Sequence, residues 1–244
     1  MQRGRFWFRL LRSQKRRRRG SMHFARATME GNSFLGVFAR ASDRLTVLPR
    51  NAPEKLKRAC AEVLKTPVIT ASISNSSLIG VFCAMNSNGA VLPSTAYESE
   101  IKWLKENALN AAVVDDKRSA LGNNLLVNDN ACLANPSLSK TSLKAVEDCL
   151  GVEVVTGTVG GSRIVGSAAV VTNRGLLTRT NVSEEEFSFL EELFKVKGAL
   201  GTANMGVSFV GLCVIANSHG FVVGEMTTGF EVQRMDEAFG FIGD

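Results

Sequence analysis

The sequence predicts an α/β fold in which five similar units close into a ring with five-fold pseudosymmetry, an α/β propeller. The first observation is a glycine after a large apolar residue that recurs with separations of 44, 42, 44 and 45 residues, at Gly36, Gly80, Gly122, Gly166 and Gly211. The second is that each glycine is followed by the same succession of apolar strand, polar turn, apolar strand and amphipathic helix. The third is bulk, because 244 residues with 45% hydrophobic content can bury one large core.

The strands of each unit are predicted as a hairpin. An apolar strand follows the glycine, so that Cys83 and Cys213 lie on first strands, whereas Cys132 lies on a second strand. Asn and Gly in the intervening turns suit the positive φ of tight hairpin turns. These turns are residues 87–89, 129–130, 173–175 and 218–220.

A helix with a 3.6-residue period follows each hairpin. Gly151 and Gly240 end two of the helices, and the pairs Ser183/Glu186 and Thr228/Glu231 have the spacing of capping boxes. The apolar stripes are Leu56, Ala59, Cys60, Val63 and Leu64; Ile101, Leu104 and Ala108; Leu143, Val146, Cys149 and Leu150; Phe187, Leu190, Leu193 and Phe194; and Val232, Met235, Ala238 and Phe239.

A third strand follows each of the first four helices, at residues 68–69, 112–114, 152–155 and around Leu200. One such unit cannot bury both faces of its sheet, whereas five around an axis can. We therefore expect residues 22–244 to form one domain of five repeats, about 30–73, 74–116, 117–160, 161–204 and 205–244. An open solenoid is the alternative, but the sequence lacks the distinct polar repeats that normally cap one.

Residues 1–21 form a basic arm that stands outside the repeat. The arm holds nine of the 29 basic residues and no acidic residue, which leaves 20 basic and 23 acidic residues in 22–244, a net charge of −3. It lacks the apolar core of a signal peptide, and no apolar run reaches a membrane span. We expect a disordered extension, with a leader, a targeting signal and a nucleic-acid-binding tail as alternatives.

Catalytic and metal-binding patterns are weak in this chain. The five cysteines form no CxxC pair and the two histidines lie far from any of them in sequence, so we expect no metal, no cofactor and no enzymatic activity. Asp115 and Asp116 are a carboxylate pair without an assigned role. A cysteine nucleophile at the centre of the ring is the enzymatic alternative, although a histidine base is not evident.

Several stretches together resemble the translation initiation factor six family in its archaeal form, over about residues 22–242. The most specific are Ser119-Ala120-Leu121-Gly122-Asn123 and Gly201-Thr202-Ala203-Asn204-x-Gly206. The others include residues 86–93 (Asn-Ser-Asn-Gly-Ala-Val-Leu-Pro), 172–175 (Thr-Asn-Arg-Gly) and 227–231 (Thr-Thr-Gly-x-Glu). Val81 departs from the family, which often has a basic residue there.

The resemblance implies the pentein fold and a cytoplasmic, monomeric protein that binds the inter-subunit face of the large ribosomal subunit. Its implied contact is a uL14-type ribosomal protein near the sarcin–ricin loop, and its implied roles are blocking subunit association and supporting large-subunit biogenesis. The residues that the resemblance places at the ribosome are Asn123 first, then Ser119, Asn86, Asn88, Gly201, Thr202, Asn204 and Gly206.

Two other functions stay open, the first suggested by the guanidine-modifying enzymes among the penteins and the second by the basic arm. The chain could be a pentein enzyme that acts on a guanidino compound through a cysteine, or a nucleic-acid binder that contacts rRNA weakly through the arm. The mildly acidic body favours a basic protein partner over bare rRNA.

Overall fold

The structure is a computed structural model that describes residues 22–107 and 110–242. The predicted arm and Ala108 of the second helical stripe lie outside these residues. The described residues form five three-stranded sheets, each with one antiparallel and one parallel pair of strands. The α/β ring with five-fold pseudosymmetry is thereby confirmed.

Each unit begins with a single helical turn that holds the repeated glycine. These turns are Leu35–Phe38, Ile79–Phe82, Leu121–Asn124, Val165–Ala168 and the 3-10 helix Val210–Leu212. The prediction that a strand follows the glycine directly was wrong by this one turn, since a four-residue helix leaves no periodic signal in an apolar run. Cys83 and Cys213 accordingly lie just before the first strands and not on them.

The hairpin of each unit lies next to the axis, and its second strand pairs in parallel with the strand that follows the long helix. The sheets have the orders β2-β3-β4, β5-β6-β7, β8-β9-β10, β11-β12-β13 and β14-β15-β1. The strands are β1 Phe24–Ala27, β2 Arg40–Ala41, β3 Thr46–Pro49, β4 Val68–Ala71, β5 Ala84–Met85, β6 Gly89–Pro93, β7 Asn110–Val114, β8 Leu125–Val127, β9 Ala131–Ala134, β10 Glu153–Thr156, β11 Ala169–Val171, β12 Gly175–Thr178, β13 Lys197–Leu200, β14 Val214–Asn217 and β15 Gly220–Gly224.

The fifth sheet takes its third strand from the start of the chain. Phe24 of β1 pairs with Phe221 of β15, in parallel. The sequence repeat did not predict this strand, because it precedes the first glycine and stands apart from its own unit. The pairing closes the ring between the first and last segments.

The long helices pack on the outside of the ring and confirm the predicted stripes. They span Glu54–Leu64, Glu98–Glu106, Lys140–Leu150, Glu184–Phe194 and Gly229–Ala238. Gly151 ends the third helix with a φ of 65°, as its sequence position indicates. Leu190 and Phe194 pack against Leu126 and Leu133 of the preceding unit, so each core lies between units.

The ring has two different ends, because all five hairpins point the same way. The glycine end carries the repeated glycines, the loops before them and the starts of the long helices. The turn end carries the hairpin turns and the ends of the long helices, since the turn residue Asn86 donates to the carbonyl of Leu150.

Candidate functional site

The glycines of the glycine end lie in contact with one another around the axis. A Cβ atom on Gly80 would lie 1.8 Å from the carbonyl oxygen of Gly36, and one on Gly122 would lie 2.1 Å from that of Gly80. The same relationship recurs between successive units and closes from Gly211 back to Gly36, at 2.1 Å. Only glycine fits here, so the repeat that the sequence shows is a packing requirement of the ring.

Asn123 follows the third glycine and lies half-buried in its helical turn. Its Oδ1 is buried and has no hydrogen-bond donor among the residues that the structure describes. The equivalent positions of the other units are Val37, Val81, Ser167 and Leu212. Ser167 is 1% exposed, and its Oγ likewise has no partner in the described ranges.

Arg179 carries the third buried polar atom without a partner in the described chain, its Nε. Its backbone N–H donates to the carbonyl of Ala168 at 3.1 Å, and its guanidinium lies 4.7 Å from the ring centre of Phe209. Arg179, Ser167 and Asn123 therefore all belong to the glycine end, in units three and four. Buried polar atoms normally find partners, so their concentration at one end marks that end as unusual.

Ser119 lies in the loop before Asn123 and is half-buried. Its carbonyl accepts a hydrogen bond from the N–H of Leu121 at 2.9 Å, which turns the chain into the glycine helix. The structure thus places Ser119 and Asn123 together on the glycine end, as their spacing suggests.

The loop of residues 201–206 also lies at the glycine end, where it is held from inside. Asn204 is 3% exposed and has a φ of 49°; its Nδ2 donates to the carbonyl of Ser33, and its Oδ1 accepts from the hydroxyl of Thr227. A Cβ on Gly201 would lie 2.9 Å from Leu177 Cδ1. These residues shape the loop, and they join the last unit to the first.

Glu231 anchors the same loop from the start of the last helix. Its carboxylate accepts from the hydroxyl of Thr202 at 2.9 Å and from the N–H of Gly206 at 2.8 Å. Burial alone would raise the pKa of Glu231, but the hydrogen bonds from Thr228, Gly206 and Thr202 hold it below its usual value. The predicted capping box of Thr228 and Glu231 is confirmed.

Glu186 holds the equivalent position in the fourth unit, where only one of the two hydrogen bonds of the predicted capping box is present. Ser183 accepts from the N–H of Glu186, but the Glu186 side chain turns instead to the N–H of Gly160 and the hydroxyl of Thr158. The spacing in the sequence identified the helix start and missed this use of the carboxylate.

Met205 stands out at the tip of the 201–206 loop, because it is 70% exposed. Met226 and Phe230 are also exposed and lie beside the capping box of Thr228 and Glu231, and Phe230 is 74% exposed. Tyr97 and Ile164 occupy the glycine end in units two and four. Of the nine large apolar side chains that are exposed in the described ranges, five thus lie at this end; the others are Met22, Val113, Phe189 and Ile242.

Asn86 and Asn88 lie at the turn end, opposite Asn123. Asn86 is 2% exposed; its Oδ1 accepts from the N–H groups of Asn88 and Gly89, and its Nδ2 donates to the carbonyls of Asn128 and Leu150. Asn88 also donates to Leu150. Both side chains serve the ring internally, and their predicted contact with a partner stays a prediction.

The turn-capping position recurs in every unit, with Ser42, Asn86, Asn128, Thr172 and Asn217. Each side-chain oxygen accepts a backbone N–H of its own hairpin turn. None of the described residues in these turns has a positive φ, so the prediction of left-handed turn residues was wrong. A side-chain acceptor closes each turn, as in an Asx turn, and that is why Asn and Thr occur there.

The carboxylates of Asp43 and Asp129 lie beside the turn-capping side chains and share a donor. Asn173 donates to Asp43 Oδ2 and to Asp129 Oδ2, both at 2.7 Å. Asp43 also accepts from the N–H of Ser218, and Asp129 accepts from that of Ser87. The polar atoms of the turn end are therefore largely occupied by neighbouring units.

All five cysteines are buried free thiols. Burial raises the pKa of Cys60, Cys83, Cys132 and Cys213 to about 12, and it raises that of Cys149 as well. Thiols in this state are poor nucleophiles. His23, one of the two histidines, does not act on a thiol here: its Nε2 lies 2.8 Å from Asp236 Oδ1, on the outside of the ring.

Neither a metal site nor a membrane span is found in the described part of the chain. Its His, Cys, Asp and Glu side chains nowhere gather in a set of three or more that could hold a metal ion. Across residues 22–107 and 110–242, no helix combines the length and apolar character that crossing a bilayer requires.

Comparison with known proteins identifies the family. The model of the eIF-6 family matches residues 24–238. Proteins named Translation initiation factor 6 from Thermococcus onnurineus and Pyrococcus abyssi are 42% and 44% identical to this chain, and the matches cover 91% of it and all of each relative. The protein of that name from Saccharolobus islandicus is 37% identical over 222 residues, which is 90% of this chain and all of the relative. This chain therefore belongs to the eIF-6 family, whose curated members bear the name of a translation initiation factor.

Proposed function

We propose that this protein binds the inter-subunit face of the large ribosomal subunit through its glycine end and prevents the small subunit from docking. A role in translation initiation follows from the family to which the chain belongs. The observation that supports the glycine end as the binding surface is the concentration there of exposed apolar side chains together with the partnerless atoms of Asn123 and Ser167.

The contact would be made with a uL14-type ribosomal protein near the sarcin–ricin loop. Met205, Met226 and Phe230 offer apolar and aromatic groups of the kind that anchor protein interfaces. Asn123 would add polar recognition, because a partner N–H can satisfy its Oδ1 after a small rotation of the side chain. The net charge of −3 over residues 22–244 suits a basic ribosomal protein.

The mechanism requires bulk and affinity and no reacting group. A rigid ring seated on the inter-subunit face would occupy the volume that the small subunit needs. The same occupancy during late assembly would give the protein its role in large-subunit biogenesis. Such a protein would act in the cytoplasm, as a monomer.

Sedimentation with purified large subunits tests this proposal. We expect the protein to co-sediment with large subunits and to lower the fraction of joined ribosomes. Asn123→Arg should weaken binding by about tenfold or more, because a long charged side chain enters the proposed contact. The matched control is Asn130→Arg, which places the same substitution in the same unit at the turn end, where Asn130 is exposed.

Two outcomes would overturn the proposal in different ways. Absence of co-sedimentation would reject large-subunit binding altogether. Loss of binding in Asn130→Arg with full binding in Asn123→Arg would place the contact at the turn end. A variant that begins at Met22 measures the arm separately, and we expect it to lose only a weak, salt-dependent rRNA contribution.

A further inference from the structure

A cavity of about 50 Å³ lies on the axis of the ring, between the two ends. The first strands of all five units line it, with side chains such as Ala41, Met85, Leu126, Val170 and Ile215. Arg40 is the only charged residue in the described lining. The proposed ribosome contact makes no use of this cavity or of Arg40.

The guanidinium of Arg40 reaches across to two other units. Its Nε donates to the carbonyl of Cys83 at 3.1 Å, and its Nη2 donates to the carbonyl of Gly122 at 2.7 Å. A guanidinium has five N–H donors, so these two bonds leave three for other partners. The three remaining donors belong to Nη1 and Nη2, the atoms at the end of a side chain that lines the cavity.

The positive charge of Arg40 has no carboxylate partner in the described ranges, where every ion pair lies elsewhere. Burial lowers the pKa of Arg40 to about 10, against a smaller opposing effect of Cys83. The side chain therefore stays charged at neutral pH. Arg40 is half-buried, and carbonyl oxygens satisfy two of its hydrogen bonds. They do not supply the counter-charge that a cation held away from bulk water normally requires.

The acidic side chains of the turn end do not supply it either. Asp43 and Asp129 lie together with the turn-capping side chains around a second space, which does not include Arg40. Both are held by Asn173 and by the backbone of neighbouring turns. Arg40 is thus left as an isolated cation inside an otherwise uncharged cavity.

We propose that the axial cavity is a binding site for a small inorganic anion of about the size of chloride, held by the Nη groups of Arg40. A volume of about 50 Å³ accommodates one such ion, given that a cavity volume of about 10–15 Å³ on the same measure holds a water molecule. The ion would stabilise the folded ring, because the site needs units one, two and three in register.

Thermal unfolding in matched salts tests the site. The full chain and Arg40→Met are unfolded in sodium chloride and in sodium gluconate, both at about 0.2 M so that ionic strength is equal. For the unmodified chain we expect chloride to raise the midpoint above that in gluconate by about 2–4 °C if the chloride concentration is about five times its dissociation constant. Arg40→Met should show no such difference.

The matched control is Arg44→Met, which removes an arginine from the same hairpin. Arg44 is outside the cavity lining and donates to the carbonyl of Ser87. This variant should keep the chloride response. An equal response in all three proteins would mean a general salt effect and would reject the site.

Crystals of the unmodified protein soaked in bromide give a second measurement that does not depend on the folding of Arg40→Met. We expect an anomalous peak within hydrogen-bond distance of an Arg40 Nη atom. Bromide found only on the outer surface would overturn the proposal.

Discussion

Gly80 lies so close to Gly36 that a single methyl group on it would overlap the neighbouring carbonyl oxygen, at 1.8 Å. Backbone atoms on both sides make the contact, so no side chain can move away to relieve it. The five-fold repetition of this contact sets how closely the units approach the axis.

Replacement of Gly80 by Ala should therefore destabilise the protein severely, by about 3 kcal/mol or more in the free energy of unfolding. Denaturant unfolding measures the loss. Gly229→Ala is the control, since nothing lies within 4 Å of its added Cβ and its φ is not positive. That change should stay within about 1 kcal/mol of the unmodified protein, and equal losses in both variants would contradict the packing argument.

Asn128 should matter for stability far more than its neighbour Asn130. Asn128 accepts from two turn N–H groups and donates to the carbonyls of Thr172 and Phe194. Asn128→Ala should cost about 2–4 kcal/mol of unfolding free energy, whereas Asn130→Ala should cost about 1 kcal/mol or less, because it loses one side-chain hydrogen bond, which is only partly buried. Asn128→Asp keeps the two hydrogen bonds that the side chain accepts and loses the two that it donates to the next unit. A loss of unfolding free energy as large as that of Asn128→Ala would show that the donated bonds between units dominate.

Asp116 should make the stability of the protein depend on acid pH. Burial would raise the pKa of Asp116, but hydrogen bonds from Ser139, Arg118 and Ser142 lower it from 3.8 to about 2. The folded state thus holds the proton less tightly than the unfolded chain, so this stabilisation is complete above about pH 4 and is lost as pH falls towards 2. Unfolding free energies measured over that range should fall less steeply in Asp116→Asn; an unchanged slope would rule out Asp116 as its source.

The cysteines should resist modification in the folded protein. Because all five are buried with raised pKa values, an alkylating reagent should label them only after denaturation. Mass spectrometry of the native and the unfolded protein measures this. Rapid labelling of one thiol under native conditions would revive the cysteine-nucleophile alternative, and turnover of a guanidino compound would establish it.

The sequence predicted the architecture because the constraint that builds it is local. Gly36 and its four equivalents must be glycine, so they recur at a period that can be read directly. The amphipathic helices could be predicted for a similar reason, since one face of each is buried and gives an apolar period of 3.6 residues. Contacts between segments that are distant in the sequence leave no periodic pattern, and so the pairing of Phe24 with Phe221 was not predicted.

The residues of the candidate site were predicted less completely. Asn123 was identified through its motif, but only the structure shows its buried acceptor and the matching one of Ser167. Asn86 has the same amide chemistry and the opposite location. It lies five residues after Val81, the equivalent of Asn123, and those five residues lead from one end of the ring to the other. Met205, Met226 and Phe230 carried no signal, since scattered apolar residues look like core residues until their exposure is known.

The strand Phe24–Ala27 has a consequence for how the chain is made. It is synthesised among the first segments, yet its partner Gly220–Gly224 is synthesised among the last. During synthesis the first strand must wait with its edge unpaired while four units are completed, and unpaired edges invite association with other chains. The ring can therefore close only after residues 220–224 have left the ribosome, even where single hairpins form earlier.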